Sequence, residues 1–145
     1  MQWDEGVHWE TYRPGGEKCF GFAAVRALKG LPPEILIIPL AGHTPGHCGI
    51  AIDTGKGWLL FASDAYFYGG EMNVAKPRRT VGLHLYQVLM EVDRAARIGN
   101  QDRLRELKRR HGGEVTLFCA HDALEFEALA AGRAAPREAP GAFRR

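Results

Sequence analysis

No stretch of about 18 apolar residues runs through this chain, so no membrane-crossing helix is expected and a membrane is not an expected partner. The opening residues, Met1 to Gly6, lack the basic start and apolar stretch of a signal peptide, which points to a cytoplasmic protein. Cysteine is scarce. Cys19, Cys48 and Cys119 are odd in number and form no CxxC pair, which argues against a disulfide framework and a zinc ribbon; they read as reduced, mostly buried thiols. A strong charge of one sign is also missing, since 19 basic residues oppose 17 acidic ones for a net +2, and Arg133, Arg137, Arg144 and Arg145 hold part of the excess near the end. The rest offers no basic groove for a phosphate backbone, so nucleic acid is not an expected partner.

What is present suits one globular domain: 145 residues with 46% hydrophobic content can bury a core. We expect that domain over residues 1–131 and a disordered tail over 132–145, rich in Ala, Pro and Arg. Val7 to Glu10 alternate weakly, as an edge strand would. Lys18 to Leu28 suits a strand, stopped by the two prolines of Leu31-Pro-Pro33. Ile35 to Ile38 is β-branched and apolar on both faces, the pattern of a strand covered on both sides. Cys48 to Ile52 and Trp58 to Ala62 flank Asp53-Thr-Gly-Lys-Gly57 and predict a β-hairpin. Tyr66 to Thr80 has no period and reads as a loop long enough to lie over a site.

Leu85, Val88, Leu89, Val92 and Ala96 recur at helical spacing and predict an amphipathic helix of about four turns. Asn100 is placed to cap a second helix carrying Leu104 and Leu107, which the glycines after His111 would end. Glu114 to Ala120 predicts a strand, and Asp122 with Glu125 forms an N-capping box for a helix from Ala123 to about Ala131.

Three predicted strands end on residues that ligate metals. Residues 42 to 47, Gly-His-Thr-Pro-Gly-His, follow the first; Ser63-Asp64 and Ala120-His121-Asp122 close the other two. Pro45 rules out a helical pair of His43 and His47, so the segment is a loop with a histidine at each end. The order His, Asp, His and the Gly-His-Thr-x-Gly-His motif resemble the later ligand motifs of the metallo-β-lactamase-fold hydrolases. The resemblance covers about residues 30 to 130 and implies an α/β (α+β) fold: the C-terminal half of an αββα sandwich, mostly antiparallel sheet with flanking helices.

By that resemblance His43 is a ligand of a first metal, Asp64 a carboxylate bridging two, and His121 a ligand of the second. His47 would support the loop by a hydrogen bond, and Asp122 would cap the following helix beside the ligands. The implied cofactor is one or two Zn²⁺, with Fe or Mn also suited to imidazole and carboxylate donors. The family usually has Gly where this chain has Ser63. Tyr66 and Tyr68, just after the bridging carboxylate, are candidates to meet an oxyanion or the substrate. The implied reaction is attack of metal-activated water on an ester, lactone, thioester or similar bond of a small molecule.

The superfamily's motif His-x-His-x-Asp-His, which supplies most of its ligands, occurs nowhere in this sequence. Three readings follow: a hydrolase missing its N-terminal half and inactive alone; an enzyme that completes its site with His8, Glu10 or His47 or across a homodimer; or a non-catalytic metal-binding or interaction module. His84 and His111 read as ordinary polar residues.

Overall fold

The computed structural model describes residues 6–26 and 28–132; Trp3 and the expected tail beyond Gly132 lie outside them. The expected edge strand at Val7 to Glu10 has no regular structure. The single strand expected from Lys18 is instead a tight ribbon of β1 (Lys18–Cys19) and β2 (Phe22–Ala23). Phe20 and Gly21 take φ of 49° and 84°, the positive pair a two-residue hairpin turn requires.

The main sheet has four strands in the order β3 (Ile35–Pro39), β4 (Cys48–Asp53), β5 (Trp58–Phe61) and β6 (Val115–Phe118). The first two pairings are antiparallel and β5 pairs with β6 in parallel, so the fold is α+β with a mixed sheet. Parallel neighbours need a long crossover. Here it contains the loop after Asp64, with a short 3-10 turn at Gly69–Met72, and two helices, α1 (Val81–Met90) and α2 (Arg94–His111). A third helix, α3 (Ala123–Ala130), follows β6 as expected, capped by Asp122, which accepts from Leu124 N and Glu125 N.

The helical period through Ala96 hides a break. Thr80 caps α1 by accepting from Leu83 N, and Asp93 restarts the chain as α2 by accepting from Ala96 N. Asn100, expected as a cap, lies inside α2 and donates through Nδ2 to Ala41 O at 2.7 Å.

α2 buries Leu104 and Leu107 against one sheet face, whose inward residues include Leu36, Ile38, Leu60, Val115 and Leu117. The stripe predicted to bury α1 does not: Leu85 is 64% exposed and Leu89 79%, whereas Gln87 is 2% exposed. The other sheet face carries the cross-strand row Ile37, Ile50, Phe61 and Phe118, none of them buried. The expectation that β3 is covered on both sides therefore fails among the described residues; only alternate positions are buried. No described helix is long and apolar enough to cross a membrane.

The two faces should respond differently to substitution. Leu36→Ala or Leu60→Ala should cost about 2 to 5 kcal/mol in urea unfolding, because each leaves a cavity under α2. Ile50→Thr should cost about 0.5 kcal/mol or less, since that side chain already meets water.

Candidate metal centre

Strand direction assembles the site. β3 and β5 both run against β4, and β6 runs with β5, so β3, β5 and β6 all end at one edge of the sheet. His43, Asp64 and His121 follow those ends and meet there. His121 Nε2 lies 2.9 Å from Asp64 Oδ1, and His43 Nε2 lies 3.8 Å from Asp64 Oδ2. The carboxylate thus offers one oxygen to each imidazole. Phe67 packs beside both rings, with centroids 4.6 Å from His121 and 6.1 Å from His43, edge to face.

Two imidazoles and a carboxylate are donor types that suit a divalent metal. In number they fall short: shared Asp64 gives each of two metals two ligands, where a catalytic zinc takes about three. Among the described residues no group of three or more His, Cys, Asp or Glu is placed to hold a metal ion. The set fits a metal in kind, as part of a centre.

His47 sits under the cluster, buried, with both nitrogens in use. Its Nδ1 donates to Leu40 O at 2.8 Å and its Nε2 accepts from Asp64 N at 2.9 Å, an arrangement that specifies the Nδ1–H tautomer. The ring therefore ties the end of β3 to the backbone of Asp64 and has no lone pair left for a metal. Gly42 has φ +145°, and a Cβ there would lie 2.5 Å from Arg97 N, so the close approach of α2 requires glycine just before His43.

Ser63, where glycine is usual in the family it resembles, takes φ 50°. That is left-handed backbone, which costs an L residue about 1 kcal/mol or more. The departure in sequence is a strained residue directly before Asp64.

Tyr66 is fully buried, and its hydroxyl donates to Glu125 Oε1 and Oε2 at 3.1 and 2.9 Å. It has no surface with which to meet a substrate, so in this structure it is a core residue rather than the oxyanion donor expected. Tyr68 is partly exposed, its ring lying over Gly70. Asp122 does more than cap α3: its Oδ2 accepts from Gly69 N at 2.7 Å, tying the loop to the end of β6.

Of the proposed substitute ligands, His8 is exposed, and Glu10 is engaged by Tyr12 Oη and Lys29 Nζ. Phe67, Glu71 and Glu125 were not singled out from the sequence. Glu125 carried a signal in the capping box, but its carboxyl turns to Tyr66 Oη and Cys119 N instead of the helix start. Burial raises the pKa of Glu125 and of Tyr66, and pushes the Cys119 thiol up to about 12.

Two outcomes follow. Ser63→Gly should stabilise the protein by about 1 kcal/mol in denaturant unfolding by relieving the left-handed strain. For Glu125, a folded pKa above the ordinary carboxyl value means ionisation is harder in the folded chain, so wild type loses stability as pH rises from about 4 through the raised value. Glu125→Gln does not titrate, so the wild-type stability minus that of the variant should fall across this window and then level off, read by urea unfolding from pH 4 to 8.

No family model matches the chain. Probable metallo-hydrolases of Mycobacterium bovis and Mycobacterium tuberculosis are each 32% identical to it over 121 residues, 83% of this chain and 39% of theirs. The chain thus spans about two fifths of the length of these curated relatives. Among solved structures it is similar to an N-acyl homoserine lactone hydrolase with N-hexanoyl-L-homoserine bound (TM-score 0.47) and to a mutant of AiiA from B. thuringiensis with N-decanoyl-L-homoserine bound (TM-score 0.48). Each is 18% identical and matched over 68% of this chain and 34% of that one, so kinship rests on the sequence relatives. By sequence, then, the chain is similar to probable metallo-hydrolases over part of their length.

Proposed function

We propose that this chain supplies His43, Asp64 and His121 to the two-metal centre of a hydrolase whose remaining ligands, of the His-x-His-x-Asp-His type, come from polypeptide outside these 145 residues, and that it is inactive alone. The observation that carries this reading is the Asp64 carboxylate set between two imidazoles at one sheet edge, with an oxygen toward each. The metals, Zn²⁺ by donor type, would lower the pKa of a bound water and polarise the oxygen that gains charge. The chain's own residues prepare the place for this. His47 fixes the Asp64 backbone, and Phe67 walls the imidazoles on one side. Partly exposed Tyr68 lies close in sequence and is the tyrosine of this loop able to meet a substrate. The substrate class is a small molecule with an ester, lactone, thioester or similar bond.

A second reading, completion of the site across a homodimer, is favoured by the apolar row Ile37, Ile50, Phe61 and Phe118, partly buried at three positions and exposed at Ile50, which a second sheet could cover.

The test combines the chain with a polypeptide bearing the missing motif, found by translating the DNA upstream of Met1, and measures bound metal and hydrolysis of an ester and lactone panel. Stoichiometric zinc and turnover should appear in the combination, and His43→Ala or Asp64→Ala should each lower turnover more than about 100-fold, beyond the loss typical of a ligand-supporting group. Turnover by the chain alone, as a dimer with bound zinc, would support the homodimer instead. Neither metal nor turnover in either sample would refute both.

A further inference from the structure

Glu71 is 1% exposed and lies in the crossover loop after Asp64. Its Oε1 accepts from Phe67 N at 3.0 Å and Tyr68 N at 3.2 Å, and both its oxygens accept from Gln87 Nε2 at 3.0 Å. Gln101 Nε2 donates to Oε2 at 3.2 Å and to Ala65 O at 2.9 Å. Gln87 in turn accepts through Oε1 from Arg97 Nη1 at 3.3 Å, and Arg97 Nε pairs with Glu91. This buried polar cluster joins the loop, α1 and α2.

Its two ends reach the two halves of the candidate centre. At one end, the backbone that Glu71 holds carries Phe67, whose ring lies against His121 and His43. At the other, Arg97 backbone packs on Gly42, and Val92 N and Asp93 N donate to Gly42 O at 3.0 and 2.9 Å. The loop bearing His43 and the wall beside His121 are therefore hung from one corner.

Stability alone does not account for this choice. Burying polar groups is costly even when they are paired, and apolar side chains of similar volume often serve a core as well or better. α1 had such residues available, yet it buries Gln87 while Leu85 and Leu89 face solvent. Arg97 Nη2 even remains buried without a hydrogen-bond partner. What the cluster gains is direction: hydrogen bonds fix angles that apolar packing leaves loose.

We propose that Glu71, Gln87 and Arg97 are positioning residues, which hold the His43 loop and the Phe67 wall in register with each other. Their purpose rests on the reading of His43, Asp64 and His121 as ligands, but the geometry they set is readable without metal.

The experiment records imidazole NMR resonances of the full chain at one pH, with unfolding curves and Zn²⁺ titration alongside. Glu71→Gln puts an amide N–H₂ where acceptor oxygens are needed. It should shift the His43 and His121 resonances, leave those of His8 and His111 in place, and weaken any Zn²⁺ binding about 10- to 100-fold. The double variant Glu71→Gln/Gln87→Glu restores a donor–acceptor match between positions 71 and 87, with the Gln101 contact to position 71 alone left unmatched, and it should return both resonances toward wild type. Should Glu71→Gln fail to fold, Gln87→Met removes the link between Glu71 and Arg97 but leaves the bonds from Phe67 N, Tyr68 N and Gln101 Nε2 to Glu71, and it should move His43 more than His121. Lower stability with both resonances unmoved would overturn the proposal, as would a swap that restores stability but not the resonances. If the chain combined with the polypeptide bearing the missing motif takes up no Zn²⁺ while the resonances behave as expected, the ligand reading fails and the positioning stands.

Discussion

The site depends on strand direction. β4 alone runs against its neighbours, and the parallel pairing of β5 with β6 brings the ends of β3, β5 and β6 to one edge. Three short strands thereby converge residues that are up to 78 positions apart, from His43 to His121. Had β6 paired antiparallel to β5, His121 would lie at the opposite edge, out of reach of Asp64. The long crossover that parallel pairing demands is also what provides the loop and two helices beside the site.

Those elements are fastened by polar groups more than by apolar ones. α2 covers the sheet with Leu104 and Leu107 in the usual way, but the corner between the loop, α1 and α2 is organised by Glu71, Gln87, Gln101 and Arg97. His47 and Asp122 do the same on a smaller scale, one tying β3 to Asp64 and the other tying β6 to the loop at Gly69. Apolar side chains are left exposed on α1 at Leu85 and Leu89 and on the second sheet face at Ile50.

Local features were legible where local physics decides them. The β4–β5 hairpin follows from its glycine-bearing turn, β3 from its β-branched run, and the start of α3 from Asp122. The break between α1 and α2 was not, because Val92 and Ala96 continue the helical period across it; what ends α1 is the bonding of Val92 N and Asp93 N to Gly42 O, a residue 50 positions away. Gln87 faces inward through its bonds to Glu71 and Arg97, partners that are also distant in sequence, while Leu85 faces solvent. Tyr66 shows the limit for site residues: its place after Asp64 pointed to substrate, and its hydroxyl is spent on Glu125 inside the core.

By itself, then, the sequence determined the strand-end residues His43, Asp64 and His121, the loop character of the Gly42 to His47 motif, and a resemblance to metal-dependent hydrolases, because motif order and turn chemistry are local properties of the chain. Only the tertiary structure decided that Asp64 stands between the two imidazoles, that His47 has no lone pair to spare, and that Ser63 pays for its place with a left-handed backbone. Each of these depends on which strand lies beside which, and hydrogen bonds between residues distant in sequence leave no period or spacing for a sequence to display.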